Sequence, residues 1–448
     1  FRPKELKGYS EEQIKESEYL QSVQELYKQQ NELRRIKKEF GILNMTTMDL
    51  DLEAVDNVVI SIAVNLIVFP DNSQVKVKQN RDFNFTGWIN AGKMELNTKA
   101  SKFKYDDYKI EVLSTTESLF RVRPLRKEDG PNSIPMISTI SGISGEILID
   151  DPGNRSGNKK GFEKFPYLKS TTASKVYYNS KDVYRGIYDS TRFYYTIAPF
   201  ELDSLNSFKE STLRFKGELT SAGIFPKIKE ELKIMPDYSF GFGIQAPPGG
   251  YDFYGADAKY ENKIVLSHNG LQGTGNINFV HSTSISKSLA FLPDSTIGVA
   301  QFTNKGTKTG VEFPDVTSDE AYIVYVPKEK LLKAKSLPLK HLYFFDGDTK
   351  FNGTTYVREG GMTGDGMMTF LTATLISDIF EFKNQEILSD TASFSLRNIS
   401  LDATEAPLAF KTDDVNVHVD FNERKGEFRS NKGESVVEVL RTVHRGRA

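Results

Sequence analysis

Cysteine is absent from this chain of 448 residues. That excludes disulfides, thiolate zinc sites and cysteine nucleophiles. Tryptophan occurs once, at Trp88, and histidine five times, at His268, His281, His341, His418 and His444. No two of these histidines stand at the spacing by which a helix face or a hairpin holds a metal. An excess of either charge is lacking too: the net charge is −2, and no basic, aromatic-rich patch suits a nucleic acid. No apolar run approaches the roughly eighteen residues of a membrane-spanning helix, so none is expected. The Gly-x-Ser-x-Gly nucleophile elbow and the Gly-Lys-Ser/Thr phosphate loop are also lacking. No cofactor, metal or catalytic residue is therefore expected.

What the chain does have is aromatics and turn formers. Its 31 Phe, 20 Tyr and 33 Gly suit strands and tight turns. The most informative stretch is Gly270-Leu271-Gln272-Gly273-Thr274-Gly275-Asn276-Ile277-Asn278-Phe279, echoed ninety-one positions on by Gly361-Met362-Thr363-Gly364-Asp365-Gly366-Met367-Met368-Thr369-Phe370. Tyr254–Tyr260 and Phe345–Phe351 repeat loosely upstream, and Phe291 and Phe382 fall at one offset downstream. Such self-similarity predicts one supersecondary unit used twice, over about 254–303 and 345–398. Gly273 and Gly275 alternate, so in a strand they share a face with Ile277 and Phe279. Glycines there admit a bulge, a bend or the close approach of another backbone. Asn269-Gly270 and Glu359-Gly360-Gly361 predict the tight turns before each copy. The candidate residues are thus structural: Gly270, Gly273, Gly275, Gly361, Gly364 and Gly366. A phosphate-binding reading of the glycines fails because a strand, not a helix, follows.

Other signals fall along the chain. Residues from Ser10 to about Phe40 predict one amphipathic helix, with a capping box at Ser10 and a stripe of Tyr19, Val23, Leu26, Leu33 and Phe40 broken by Gln30 and Lys37. It is expected to pack on the β body or to meet a partner helix. Strict alternation from Val58 to Val68 predicts a single strand, followed by a turn at Pro70–Ser73 and a return strand at Gln74–Lys78. Phe85-Thr86-Gly87-Trp88-Ile89, Phe215-Lys216-Gly217-Glu218-Leu219 and Ile143-Ser144-Gly145-Glu146-Ile147 echo one another. Asp150-Asp151-Pro152-Gly153-Asn154 carries calcium-type ligands without EF-hand spacing, and the plainer reading is a solvated loop. Gln245-Ala246-Pro247-Pro248-Gly249-Gly250 predicts an internal boundary. Asp257 and Asp348 form a conceivable glycosidase pair, but their matching places in tandem copies argue for a structural role.

The segments Gly217–Pro226, Pro236–Phe242, Gly270–Gly275 and Glu312–Pro314 resemble parts of very large, uncharacterised β-rich proteins of the Bacteroidota. The resemblance covers about residues 30–438. It implies a cell-envelope or surface location and a piece of a longer chain, and it carries over no catalytic residue. The start at Phe1, and the basic tail from Val439, are expected to reflect a fragment with a truncated or artefactual end. A remoter likeness of pattern is to repetitive β proteins of periplasmic lipid transport.

These readings combine into a mainly β, elongated body of stacked sheets or sandwich-like repeat units with one N-terminal helix. The expected layout is 1–44 helix and connector, 45–246 a first β-rich region, 247–438 a second with the two repeats, and 439–448 the tail. The expected function is a non-catalytic scaffold segment of a large envelope protein, meeting other envelope proteins. The rivals are a hydrophobic groove for lipid and a carbohydrate-binding or carbohydrate-active body. An open apolar trough would favour lipid, an exposed aromatic platform glycan, and a closed core the scaffold.

Overall fold

A computed structural model describes residues 41–155, 159, 161, 163–255, 258–398, 408–433 and 438–439. The helix expected over Ser10–Phe40 lies outside the described residues, as does most of the basic tail. The described chain is mainly β, in large antiparallel sheets joined by turns and short 3-10 segments. No helix among the described residues is long and apolar enough to cross a membrane.

The chain folds as two compact units, one taking in residues to Lys175 and Ile197–Thr212, the other Val176–Thr196 and the chain from Leu213. The stretch expected to mark a boundary, Gln245–Gly250, lies inside the second unit.

Unit 1 is built on a twelve-stranded sheet. Its centre is Phe83–Ala91, Met94–Lys104 and Lys109–Val122, where apolar and polar residues alternate. Alternation sends one set to each face, and Phe83, Phe85, Ile89, Leu96, Ile110 and Val112 form a buried layer. The expected single strand Val58–Val68 is instead a hairpin. Val58–Ser61 pairs antiparallel with Leu66–Pro70, Val58 opposite Val68. Ile62, at its tip, is 86% exposed, and Asn65 leaves the turn at φ +51°. The alternation misled because Val58 and Val68, both even-numbered, face each other, so the apolar pattern resumes in phase after the turn, although a bulge sets Ser61 opposite Leu66. The return strand Val75–Val77 is present, but pairs with Leu50–Leu52 and Phe83–Ala91 rather than with Leu66–Pro70.

Unit 2 holds a seventeen-stranded sheet whose strands neighbour one another in sequence order. Several positions in it are filled by two short strands laid end to end. Phe240–Gln245 and Tyr251–Asp252 share Lys259–Ser267 as neighbour, with Pro247–Gly250 bridging the halves. Leu331–Ser336 and Leu342–Phe344 lie in the same way between Val316–Val326 and Thr349–Arg358. Lys425–Ser430 and Glu438–Val439 do so along Leu408–Asp420. The buried face is strongly aromatic. Phe291 meets Tyr260 edge-on at 4.8 Å and Phe225 at 4.9 Å, arrangements that gain quadrupole attraction beyond area burial.

Candidate functional site

The six glycines singled out by the sequence lie in Gly270–Phe279 and Gly361–Phe370. Each strand follows a two-residue turn, Ser267 facing Gly270 and Arg358 facing Gly361 across it. Gly270 at φ +82° and Gly361 at φ +136° occupy backbone that L side chains rarely adopt. Gly273 and Gly275 are buried with Ile277 and Phe279 on one face.

The two strands share one register with their neighbours. Gly273 faces Leu289 and Gly275 faces Ser286, with a bulge between. Gly364 faces Phe380 and Gly366 faces Ser377, again with a bulge between. On the other side Gly275 faces Asn262 and Gly366 faces Gly353. Upstream, Tyr251 faces Tyr260 and Leu342 faces Phe351. Tyr254 donates its N–H to Ile224 O at 2.7 Å, and Phe345 donates to Asp315 O at 3.1 Å.

The glycine requirement has a definite cause. A Cβ on Gly275 would collide with Glu261 O, and one on Gly366 with Asn352 O. The same clash with a neighbouring strand's carbonyl would arise at Gly87 against Phe69 O, at Gly145 against Lys169 O and at Gly217 against Thr196 O. The three weaker sequence echoes around Phe85, Ile143 and Phe215 thus share the same constraint at their glycine.

Sequence reasoning missed the hydroxyls at the bulges. Ser286 and Ser377 are buried. Ser286 Oγ donates to Val299 O at 2.6 Å and accepts from Ser288 N at 3.1 Å. Ser377 Oγ donates to Thr391 O at 2.7 Å and accepts from Ile379 N at 3.0 Å. Unit 1 contains a third case: Phe85 faces Ser101, Gly87 faces Thr98, a bulge separates them, and Thr98 Oγ1 accepts from Ala100 N at 3.2 Å. A bulge leaves backbone groups without ladder partners, and the hydroxyl satisfies one of them. The signal that would have found these residues is a Ser or Thr eleven positions after Gly87, Gly275 and Gly366.

Four phenols of the unit 2 core bond to backbone. Tyr188 donates to Phe291 O at 2.7 Å and accepts from Leu271 N at 3.2 Å. Tyr254 lies 2.7 Å from Leu292 O, Tyr260 donates to Lys263 O at 2.7 Å, and Tyr178 donates to Phe240 O at 2.9 Å. Burial pushes the pKa of all four well above the usual phenol value, which keeps them neutral donors.

Titratable groups elsewhere are dispersed. His341 is hydrogen-bonded to Asn352, His418 Nε2 lies 3.0 Å from Glu386, and His281 meets Phe313 edge-on at 5.0 Å. Asp348 is exposed at the end of a 3-10 turn, and Asp257 lies outside the described residues. In the Asp150–Asn154 loop the acids serve the loop itself: Asp151 accepts from Gly153 N at 2.8 Å, and Asp150 from Asn154 Nδ2 at 2.9 Å. Among the described residues no three His, Asp or Glu side chains group as metal ligands.

Surface hollows on both units have the size of ligand sites. One of about 820 Å³ crosses unit 1, with Ile42, Lys76, Lys102 and Leu113 among its walls. Another of about 730 Å³ lies on unit 2 beside Tyr322, Lys335, His341 and Asn352. Comparison with protein-family models, with curated proteins and with solved structures found no match.

Proposed function

We propose that the chain is a non-catalytic structural body from a large bacterial cell-envelope protein, in which one antiparallel unit is used repeatedly. The observation that carries the proposal is the filled interior of unit 2. Aromatic rings pack around Phe291 on the buried face of the sheet, and the Tyr188 and Tyr260 hydroxyls are engaged by backbone groups. A lipid conduit needs an open apolar trough at that face. The common register of the strands around Gly275 and Gly366 supports the repeated unit. Lys425–Ser430 with Glu438–Val439 supports a further copy, because Val326 faces Leu331 as Asp420 faces Lys425, ninety-four residues on. The resemblance to Bacteroidota envelope proteins supports the location.

Screening the purified protein against polysaccharides, esters and phospholipids, with products and bound lipid read by mass spectrometry, tests the proposal. The expected result is neither turnover nor stoichiometric lipid. Turnover abolished by one Asp or Glu substitution in a folded variant overturns it, as does co-purified lipid. A glycan-binding reading has one observation in its favour, the hollow beside Tyr322, His341 and Asn352. Stacking on Tyr322 and hydrogen bonds from the His341–Asn352 pair suit a sugar ring. Binding of a soluble oligosaccharide lost on Tyr322→Ala would promote that reading.

A further inference from the structure

We propose that the apolar stripe of residues 10–40 docks within its own chain, along the groove on the outer face of the unit 1 sheet. The groove of about 820 Å³ runs over Ile42, Asp51, Lys76, Asn84, Lys102 and Glu111, with Leu113 beside them. Asp51 faces Lys76, Lys76 faces Asn84, Asn84 faces Lys102 and Lys102 faces Glu111, so the floor is one row crossing successive strands. Two apolar side chains stand in this charged row's surroundings without cover. Leu113, on a strand well inside the sheet, is 65% exposed, and Ile42, on the edge strand, is 54% exposed.

The position and length of the preceding chain select the occupant. Gly41–Leu43 is the edge strand and Ile42 forms the groove's end, so Gly41, to which the segment 10–40 is joined, stands at its mouth. From the edge strand to Lys109–Val122 the groove spans six strands, about 24 Å at the usual strand spacing. A helix needs roughly sixteen residues to cover that distance, and Ser10–Phe40 supplies more than enough. Its stripe of Tyr19, Val23, Leu26, Leu33 and Phe40 is apolar at helical spacing, and its polar breaks Gln30 and Lys37 suit a floor carrying Asp51 and Glu111. The segment's Lys, Arg and Glu residues complement a row of both signs.

The absence of cysteine makes the test direct. Leu113→Cys and, separately, Leu371→Cys each give the full-length protein a single thiol, Leu371 being 99% exposed. Maleimide labelling of the thiol at 113 is expected to be slower by about tenfold or more, because reactivity follows access. Adding Leu26→Ser with Leu33→Ser is expected to restore the rate at 113 and leave that at 371 unchanged. In a second measurement Leu113→Cys with Leu26→Cys or Leu33→Cys is oxidised, and an intrachain disulfide in monomeric protein is expected from at least one pair. Equal labelling at the two positions overturns the proposal. Protection that grows with protein concentration, or crosslinks found only between chains, also overturns it and assigns the face to a second copy. Circular dichroism of each variant identifies any that has not folded, and the disulfide measurement then decides.

Discussion

The hairpins around Gly275 and Gly366 have the same strand register and different interiors. In the first, Tyr260 and Tyr254 stand in the aromatic cluster with hydroxyls bonded to backbone. In the second, Phe351 and Phe345 take those places, and the cluster of Phe344, Phe351 and Phe382 has no hydroxyl, with Phe344 and Phe382 only 4.6 Å apart. The glycines that open the strands differ as well. A Cβ on Gly270 would run into the Tyr188 ring, whereas Gly361 has only Val311 Cγ1 at 3.9 Å. Backbone register and bulge are therefore set by the glycines and serines, while the packing around them is free to be polar-satisfied or purely apolar. Two hairpins can thus hold one ladder register and still differ in the hydrogen-bond accounting of their cores.

The largest effect should come from the residues that fix the ladder. Gly275→Val and Gly366→Val each place a side chain on a neighbouring carbonyl, and each is expected to cost about 3 kcal/mol or more in chemical denaturation. A loss at one site with neutrality at the other would break the equivalence of the hairpins. Next, Tyr188→Phe should cost about 1–3 kcal/mol, since it leaves Leu271 N and Phe291 O buried without their partner. Gly270→Ala should cost more than Gly361→Ala, since both meet the strain of a positive φ but only Gly270 would also meet the Tyr188 ring. Equal penalties would mean that the Tyr188 ring yields freely.

A pH experiment sharpens the same contrast. Burial raises the pKa of Tyr188, Tyr254 and Tyr260 in the fold. Above about pH 10 the unfolded chain releases phenolic protons that the folded chain keeps, so stability present below that pH falls as pH rises. The expected outcome is alkaline unfolding in which the buried phenolate absorbance appears only with loss of structure. Combining Tyr254→Phe with Tyr260→Phe should flatten this dependence, and phenolate formation by both residues in the folded state would contradict their burial. The smallest effect concerns the turns. Leu371 is 99% exposed at φ +49°, so Leu371→Asn is expected to stabilise by about 0.5–1 kcal/mol in thermal unfolding.

Much of this was legible in residues. The alternation of Gly273, Gly275, Ile277 and Phe279 gave one shared face that the fold buries, and Asn269-Gly270 gave a turn. The bulge hydroxyls were not legible, because a buried serine and a surface serine look alike until their neighbours are known. Val58–Val68 was misread since periodicity carries facing but not chain direction.

The sequence by itself determined that the chain is β-rich, which residues alternate, and where glycine is spaced at fixed intervals, since these follow from local backbone preferences and the two-residue period. Tertiary structure alone decided which strands are neighbours, that Pro247–Gly250 bridges two halves of one strand position, and that the glycines answer to carbonyls on the next strand. Those facts depend on contacts between residues far apart in the chain, and a carbonyl pressing on a missing Cβ leaves no mark in its own residue's identity.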